Sequence, residues 1–337
     1  MAIPPLPTDP IFILGISQRS GTNFLFDLLC LHPDCGAPSK KWEDFLLHKS
    51  DLLVPFVDSV YAGWRRWGTD QRIEYLLYEH LGNGLISVLA SQIKEKRLVT
   101  KTPSVRNLSY FFKLFPHAYL LILVRDGRAV AESRVKSFGE NYEFAIRNWA
   151  DGADAILKFI ESAHTSQSRY LIVRYEDLCN NLDDEMRRVL AFVGLDAEQY
   201  DFNAATNMPV RGSSVFHGEG RSSYHWNPVQ KAPDFNPVAR SRHWTASLHE
   251  RFNWITGDKL KRLGYEEMTY KQKEWVRMWR NTALDIAWQL REFAQSTVRR
   301  AKNILKSIFG ADRMSRCRRY VLKAVNVTLR PGRALLK

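Results

Sequence analysis

Four short stretches of the chain are runs of apolar and β-branched residues rather than alternations of apolar and polar ones. They are "IFILG" at 11–15, "RLVTK" at 97–101, "AYLLILV" at 118–124 and "YLIVRY" at 170–175. Such runs fit strands buried on both faces. Between and after them, apolar residues recur at helical spacing, as at 70–94, 141–164 and 182–194. Strand-helix alternation predicts right-handed crossovers, hence an α/β domain whose central parallel sheet carries helices on both faces. "SLHERFNWITGDKLKRLGY" predicts one more helix, ending at Gly264 as its C-cap. Residues 207–244 lack periodicity and are rich in Gly, Ser, Asn, Pro and His. A loop of that length in a compact domain is expected to serve function.

Composition narrows the class. With 337 residues, 45% of them hydrophobic, the chain can bury a large core, and global disorder is excluded. No apolar run approaches the roughly 18 residues of a membrane span. The opening "MAIPPLPTDP" has neither a basic segment nor an apolar one, so the expectation is no secretory signal and a cytoplasmic protein. Four cysteines without C-x-x-C spacing suggest no disulfide framework, no zinc site and a reducing compartment. Charge adds a boundary. Residues 268–337 hold 17 Lys and Arg against 4 Asp and Glu, whereas residues 1–267 hold 32 of each. The whole excess of +13 therefore lies in the last 70 residues. The expected organisation is a catalytic or binding domain over 1–267 and a basic helical extension over 268–337.

Two strand ends carry candidate chemistry. In "ISQRSGTNFLFDLL" (16–29) a buried strand breaks and turns at once into a helix. Backbone N–H groups at a helix start are unpaired and suit an anion. Ser20 and Thr22 add hydroxyl donors, and Arg19 adds a fixed positive charge. The competing reading is an ordinary turn, with Gly21 for backbone freedom and Ser or Thr as a cap. In "YLLILVRDGRAVAESRVKSF" (119–138) the strand ends at Arg125 and a helix begins near Asp126 or Gly127. Ser133 lies about two turns on, and helical side chains lean toward their N-terminus. It can therefore meet Arg125 at a second phosphate site. The competing reading pairs Arg125 with Asp126 at a strand end. A Walker A loop does not fit: Gly15 and Gly21 are one residue too far apart, and Thr22 stands where the lysine belongs. No G-x-G-x-x-G follows the first strand, so a dinucleotide fold fits less well still.

With both motifs in view, the chain resembles the sulfotransferases that use 3′-phosphoadenosine 5′-phosphosulfate. "RSGT" is similar to their loop for the 5′-phosphosulfate and "RDGRAVAES" to their element for the 3′-phosphate. The resemblance continues through "HPDCG", "KTP" (101–103), "VRYEDL" (173–178), "FVGLD" (192–196), "PVRGSS" (209–214) and "KLKRLGY" (259–265). It covers about residues 10–267. The likeness is greatest to the bacterial and tyrosylprotein sulfotransferases, which carry Arg rather than Lys in the first loop. Two departures stand out: Asn23 replaces a usual second Thr, and Gln18 a usual Pro or Gly.

The resemblance implies the P-loop-like sulfotransferase fold and transfer of a sulfuryl group to a hydroxyl or amine, with no metal. It implies Arg19, Ser20, Gly21, Thr22 and Asn23 around the 5′-phosphosulfate, and Arg125 and Ser133 around the 3′-phosphate. Tyr175 would lie near the adenine or ribose, and Ser214 and Lys231 would close over the nucleotide. Glu43 is the candidate base, with Asp44 and His48 as rivals, and Lys101 with Arg19 would meet the bridging oxygen. Glu176 and Asp177 are read as caps of the following helix. The acceptor is unnamed by the sequence. Two other functions remain open: a P-loop-like phosphotransferase, and a non-catalytic nucleotide-binding protein at a membrane.

The extension has its own pattern. Trp275, Met278, Trp279, Thr282 and Ile286 share one helical face, which Leu290 and Phe293 continue, amid basic residues. That suits a helix lying in an anionic membrane interface, which would make the protein peripheral. The alternatives are packing on its own domain or on a second subunit. Nucleic acid comes third, since no recognised nucleic-acid module accompanies the charge.

Overall fold

The computed structural model describes residues 9–38, 43–162, 169–211, 229–230, 237–238, 240–268 and 273–328, from 302 onward as backbone. It divides into two compact units, residues 1–270 and 271–337. In the first unit the chain runs β1 (Ile11–Gly15), α1 (Thr22–Leu29), β2 (Cys35–Gly36), α2 (Val54–Arg65), α3 (Arg72–Ala90), β3 (Arg97–Thr102) and α4 (Phe111–Leu114). It continues through β4 (Tyr119–Val124), α5 (Gly127–Phe138), α6 (Tyr142–Glu161), β5 (Tyr170–Arg174), α7 (Tyr175–Asn180) and α8 (Leu182–Val193). α9 (Phe202–Thr206), α10 (Ala246–Thr256) and α11 (Lys259–Arg262) complete it.

The five strands form one sheet in the order β2-β3-β1-β4-β5, every pair parallel. Alternate residues of each strand point to opposite faces, and both faces are buried. Phe12, Leu14, Leu120 and Ile122 pack with Tyr78 of α3, Trp149 of α6 and Phe252 of α10. Ile11, Ile13, Leu121 and Leu123 pack with Leu25 and Leu28 of α1 and Met186 and Leu190 of α8. This two-sided burial is why the strand sequences run apolar instead of alternating.

The expected strands and helices are present, with three differences. α2 adds a helix of 12 residues before the one expected from residue 70. β2 is an extra edge strand, two residues long. The helix expected over 247–264 is broken. α10 stops at Thr256 because Gly257 takes φ 57°, ψ −133°, far from helical values, and a separate turn of α11 follows before Gly264 at φ 83°.

β1 is central, between β3 and β4. The chain leaves β1 through α1 toward β3 and later returns to β4 on the other side. In parallel sheets, ligands sit outside the carboxyl ends of the strands where such a reversal opens a crevice.

The second unit contains α12 (Glu274–Thr328), 55 residues long and about 80 Å end to end. Among the described residues no helix is long and apolar enough to cross a membrane.

Candidate active site

A cavity of about 930 Å³ opens at the carboxyl ends of the strands. It is walled by Arg19, Gly21, Thr22 and Asn23 after β1, by Arg125 and Ser133 after β4, and by Tyr175 after β5. Glu43 lines it as well, as does Arg240 from the long loop.

The β1–α1 turn is held by Ser20, whose N–H and hydroxyl both donate to the Ser17 carbonyl, the hydroxyl at 2.8 Å. Ser20 is thus buried beneath the turn rather than on the cavity wall. Arg19 has φ 76° and Gly21 φ 99°, so the backbone is left-handed twice within three residues. Turns of this kind gather successive N–H groups into an anion-binding concavity. Gly21 is required twice over. Beyond its positive φ, an added Cβ would lie 2.3 Å from Cδ2 of Tyr175.

Arg125 is buried, and it does not pair with Asp126. Asp126 caps α5 by accepting from the Arg128 N–H at 2.8 Å and holds the Arg128 side chain. Arg125 instead donates to the carbonyls of Arg19 and Pro237 and lies 4.2 Å above the Tyr175 ring. Its Nε is buried with no hydrogen-bond partner among the described residues. Arg19 Nε donates to Ser133 Oγ at 3.1 Å, and Arg240 Nη1 reaches the same oxygen at 3.4 Å. Burial, and then the charge of Arg125, pull the Arg240 guanidinium down to about 10. Two guanidinium groups therefore share one buried hydroxyl while the charge of Arg125 acts on one of them, an arrangement that an anion would relieve. Sequence reasoning missed Arg240, which lies in an aperiodic loop more than a hundred positions from Ser133.

The cavity wall also carries an acid, Glu43, with a buried lysine acting on it. Asp44 fixes the segment after residue 42 onto β3. Its carboxylate accepts from Thr100 Oγ1 at 2.7 Å, Thr102 Oγ1 at 3.1 Å and the Leu46 N–H at 2.8 Å. The Asp44 N–H donates to the Lys101 carbonyl at 3.2 Å. With its oxygens engaged, Asp44 supports its neighbour Glu43, which faces the cavity. His48 Nδ1 is occupied by Ser104 Oγ at 2.8 Å, and His48 is not part of the cavity wall. Burial raises the Glu43 carboxyl above its usual range, with nearby Lys101 opposing the shift.

Lys101 is 1% exposed and lies behind the cavity wall. Its ammonium sits 5.6 Å from the Phe26 ring and has no hydrogen-bond partner among the described residues. Burial lowers its pKa, and the charge that most opposes the shift is Glu43. Arg211 and Asp27, an ion pair on the cavity wall, also act on it. A buried ammonium without a hydrogen-bond partner is costly, which makes it a ready partner for an anionic oxygen.

Glu176 is not a helix cap. Its carboxylate accepts from the Asp126 N–H at 3.0 Å and from Tyr265 Oη at 2.8 Å, tying the start of α5 to the end of the unit. Ser214 and Lys231 lie outside the described residues. Burial pushes the Cys35 thiol up to about 12.

Comparison with known proteins places this geometry in context. Residues 10–199 match the model of the Sulfotransferase family. Protein-tyrosine sulfotransferase 1 of Danio rerio is 24% identical over 201 residues, which are 55% of this chain and 53% of that protein. Nodulation protein NoeE of Sinorhizobium fredii is 27% identical over 300 residues, 79% of this chain and 68% of that protein. The chain spans about half the length of the first protein-tyrosine sulfotransferases it matches. Among solved structures, the sulfotransferase domain of the Synechococcus PCC 7002 olefin synthase aligns over 79% of this chain and 98% of that domain. Its TM-score is 0.46 and its identity 22%.

Proposed function

The chain belongs to the sulfotransferase family, and from that premise we propose that it moves a sulfuryl group from 3′-phosphoadenosine 5′-phosphosulfate to a hydroxyl or amine acceptor. One observation carries the choice of donor. Two anion-binding elements share the cavity wall, which suits a nucleotide with two separate anionic groups: Arg19 and Arg240 both reach Ser133 Oγ, and the left-handed turn at Arg19 and Gly21 opens onto the same cavity.

In this reading Arg125, Arg240 and Ser133 hold the 3′-phosphate, and the N–H groups of Gly21, Thr22 and Asn23 hold the 5′-phosphosulfate. Tyr175, stacked on Arg125, borders the nucleoside. Glu43 accepts the acceptor's proton as the new bond to sulfur forms. The bond from sulfur to the bridging phosphate oxygen breaks, and its electron pair stays on the departing 3′,5′-bisphosphate. Lys101 and Arg19 meet the charge that grows there. Most of the rate enhancement then comes from positioning and preorganised charge, as in phosphoryl transfer. Raising the Glu43 pKa brings it closer to the operating pH, which improves a general base. The word tyrosine in the relatives' names makes a phenolic hydroxyl the first acceptor class to try.

The test is label transfer from [³⁵S]-labelled donor to peptides bearing tyrosine, to simple alcohols and to amines, with Glu43→Gln as control. Transfer that Glu43→Gln abolishes supports the reading. A folded protein that binds the donor yet labels none of these acceptors would favour an idle nucleotide-binding role.

A further inference from the structure

The second unit carries a feature that sulfuryl transfer does not use. α12 is the one helix of its unit among the described residues, so its apolar stripe has no partner element there. At about 100° per residue, Trp275, Trp279, Ile286, Leu290 and Phe293 fall within an arc of about 60°. All five are exposed, by 54% to 72%. Arg277, Arg280 and Arg291 fall on the opposite side, about 140–200° from Trp275. An apolar stripe of this size on a water-facing helix marks an interaction surface.

We propose that α12 lies in the interface of an anionic lipid bilayer, with the tryptophan face down. Three observations select that occupant. The stripe is rich in Trp, Leu and Phe, the residues that settle at the boundary between headgroups and acyl chains. Residues 268–337 carry 17 Lys and Arg against 4 Asp and Glu, a field that complements anionic headgroups. The helix does not qualify as a membrane span, so it rests on the bilayer rather than crossing it. A nucleic acid would engage the arginine side and leave the tryptophan side in water. A second copy of the chain would cover the stripe but would bring two like-charged extensions together.

The experiment is co-sedimentation of the full chain with vesicles of phosphatidylcholine alone and with one third phosphatidylglycerol. The expected result is binding to the anionic vesicles, at least tenfold weaker binding to the neutral ones, and release as salt rises through the physiological range. Trp279→Glu with Leu290→Glu should weaken anionic-vesicle binding by tenfold or more. Its far-UV circular dichroism and its affinity for adenosine 3′,5′-bisphosphate should stay at wild-type values, which separates a lost surface from a lost fold. Sulfuryl transfer in detergent-free buffer should likewise be unchanged, so failure here is distinct from failure of the catalytic reading. Absence of vesicle binding by the wild-type chain would overturn the proposal. So would vesicle binding that survives the double substitution, or a dimer in sedimentation velocity that the substitution dissociates while vesicles go unbound.

Discussion

Replacing Arg125 by Ala tests the anion site where the geometry is most specific. Arg125 is buried, its Nε has no partner among the described residues, and its other nitrogens hold the Arg19 and Pro237 carbonyls. A 3′-phosphate would supply the missing charge-assisted hydrogen bond. Such bonds contribute about 1.5–3 kcal/mol, or roughly 12- to 140-fold in affinity. The substitution also removes the stack on Tyr175, at 4.2 Å. That loss affects any adenine nucleotide, so the informative quantity is a ratio. Titration calorimetry with adenosine 3′,5′-bisphosphate and with AMP gives the discrimination for the 3′-phosphate. Arg125→Ala should lower this discrimination by the factor above, and Arg125→Lys, which keeps the charge but loses the fork, by less. Equal weakening of both ligands would mean that Arg125 only supports the turn. A wild-type protein that binds the two equally would refute the site itself.

Glu43→Gln should lower turnover by about 10²–10⁴-fold while leaving bisphosphate affinity unchanged, measured by initial rates beside calorimetry. The base acts as the carboxylate, so turnover should rise with pH along a limb displaced above the ordinary glutamate value, because burial favours the neutral acid. Burial acts oppositely on Lys101, so a descending limb below the ordinary lysine value is expected in the same pH–rate profile. Gly21→Ala drives a Cβ against Tyr175 in a left-handed backbone and should cost about 1–3 kcal/mol in urea unfolding, along with donor binding. Asp44→Ala strips the acceptor from Thr100, Thr102 and the Leu46 N–H. It should therefore reduce turnover through misplacement of Glu43 and lower the melting temperature, whereas Glu43→Gln should leave that temperature alone.

What could be read from the sequence is what short-range pattern encodes. The strand cores were legible because residues such as Ile13 and Leu121 face one helix layer while Phe12 and Leu120 face the other. β2 was not, because two residues carry no periodicity. The helical pattern over 247–264 runs on through Gly257, yet its φ of 57° and ψ of −133° end α10. Helical patterns tolerate an isolated glycine, so composition could not separate the two outcomes. On the cavity wall, Arg19, Gly21, Thr22, Asn23 and Arg125 were legible as neighbours because each lies at or beside a strand-to-helix turn, and Ser133 because it lies about two helical turns beyond Arg125. Arg240 and the Asp27–Arg211 pair were not, since their partners are distant in sequence and nothing local announces them. That Lys101 is buried, with its ammonium 5.6 Å from the Phe26 ring, is not legible in its strand-end position. Only the packing of α1 over β3 reveals that.

The central claim is that this cavity moves sulfuryl rather than phosphoryl groups. One dual-label measurement addresses it: the full chain incubated with [³⁵S]-labelled 3′-phosphoadenosine 5′-phosphosulfate and [γ-³²P]ATP in the presence of tyrosine peptides, alcohols and amines. The expected result is ³⁵S on an acceptor, with stoichiometric release of adenosine 3′,5′-bisphosphate, no ³²P transfer, and loss of the ³⁵S signal in Glu43→Gln. Transfer of ³²P without ³⁵S would contradict it.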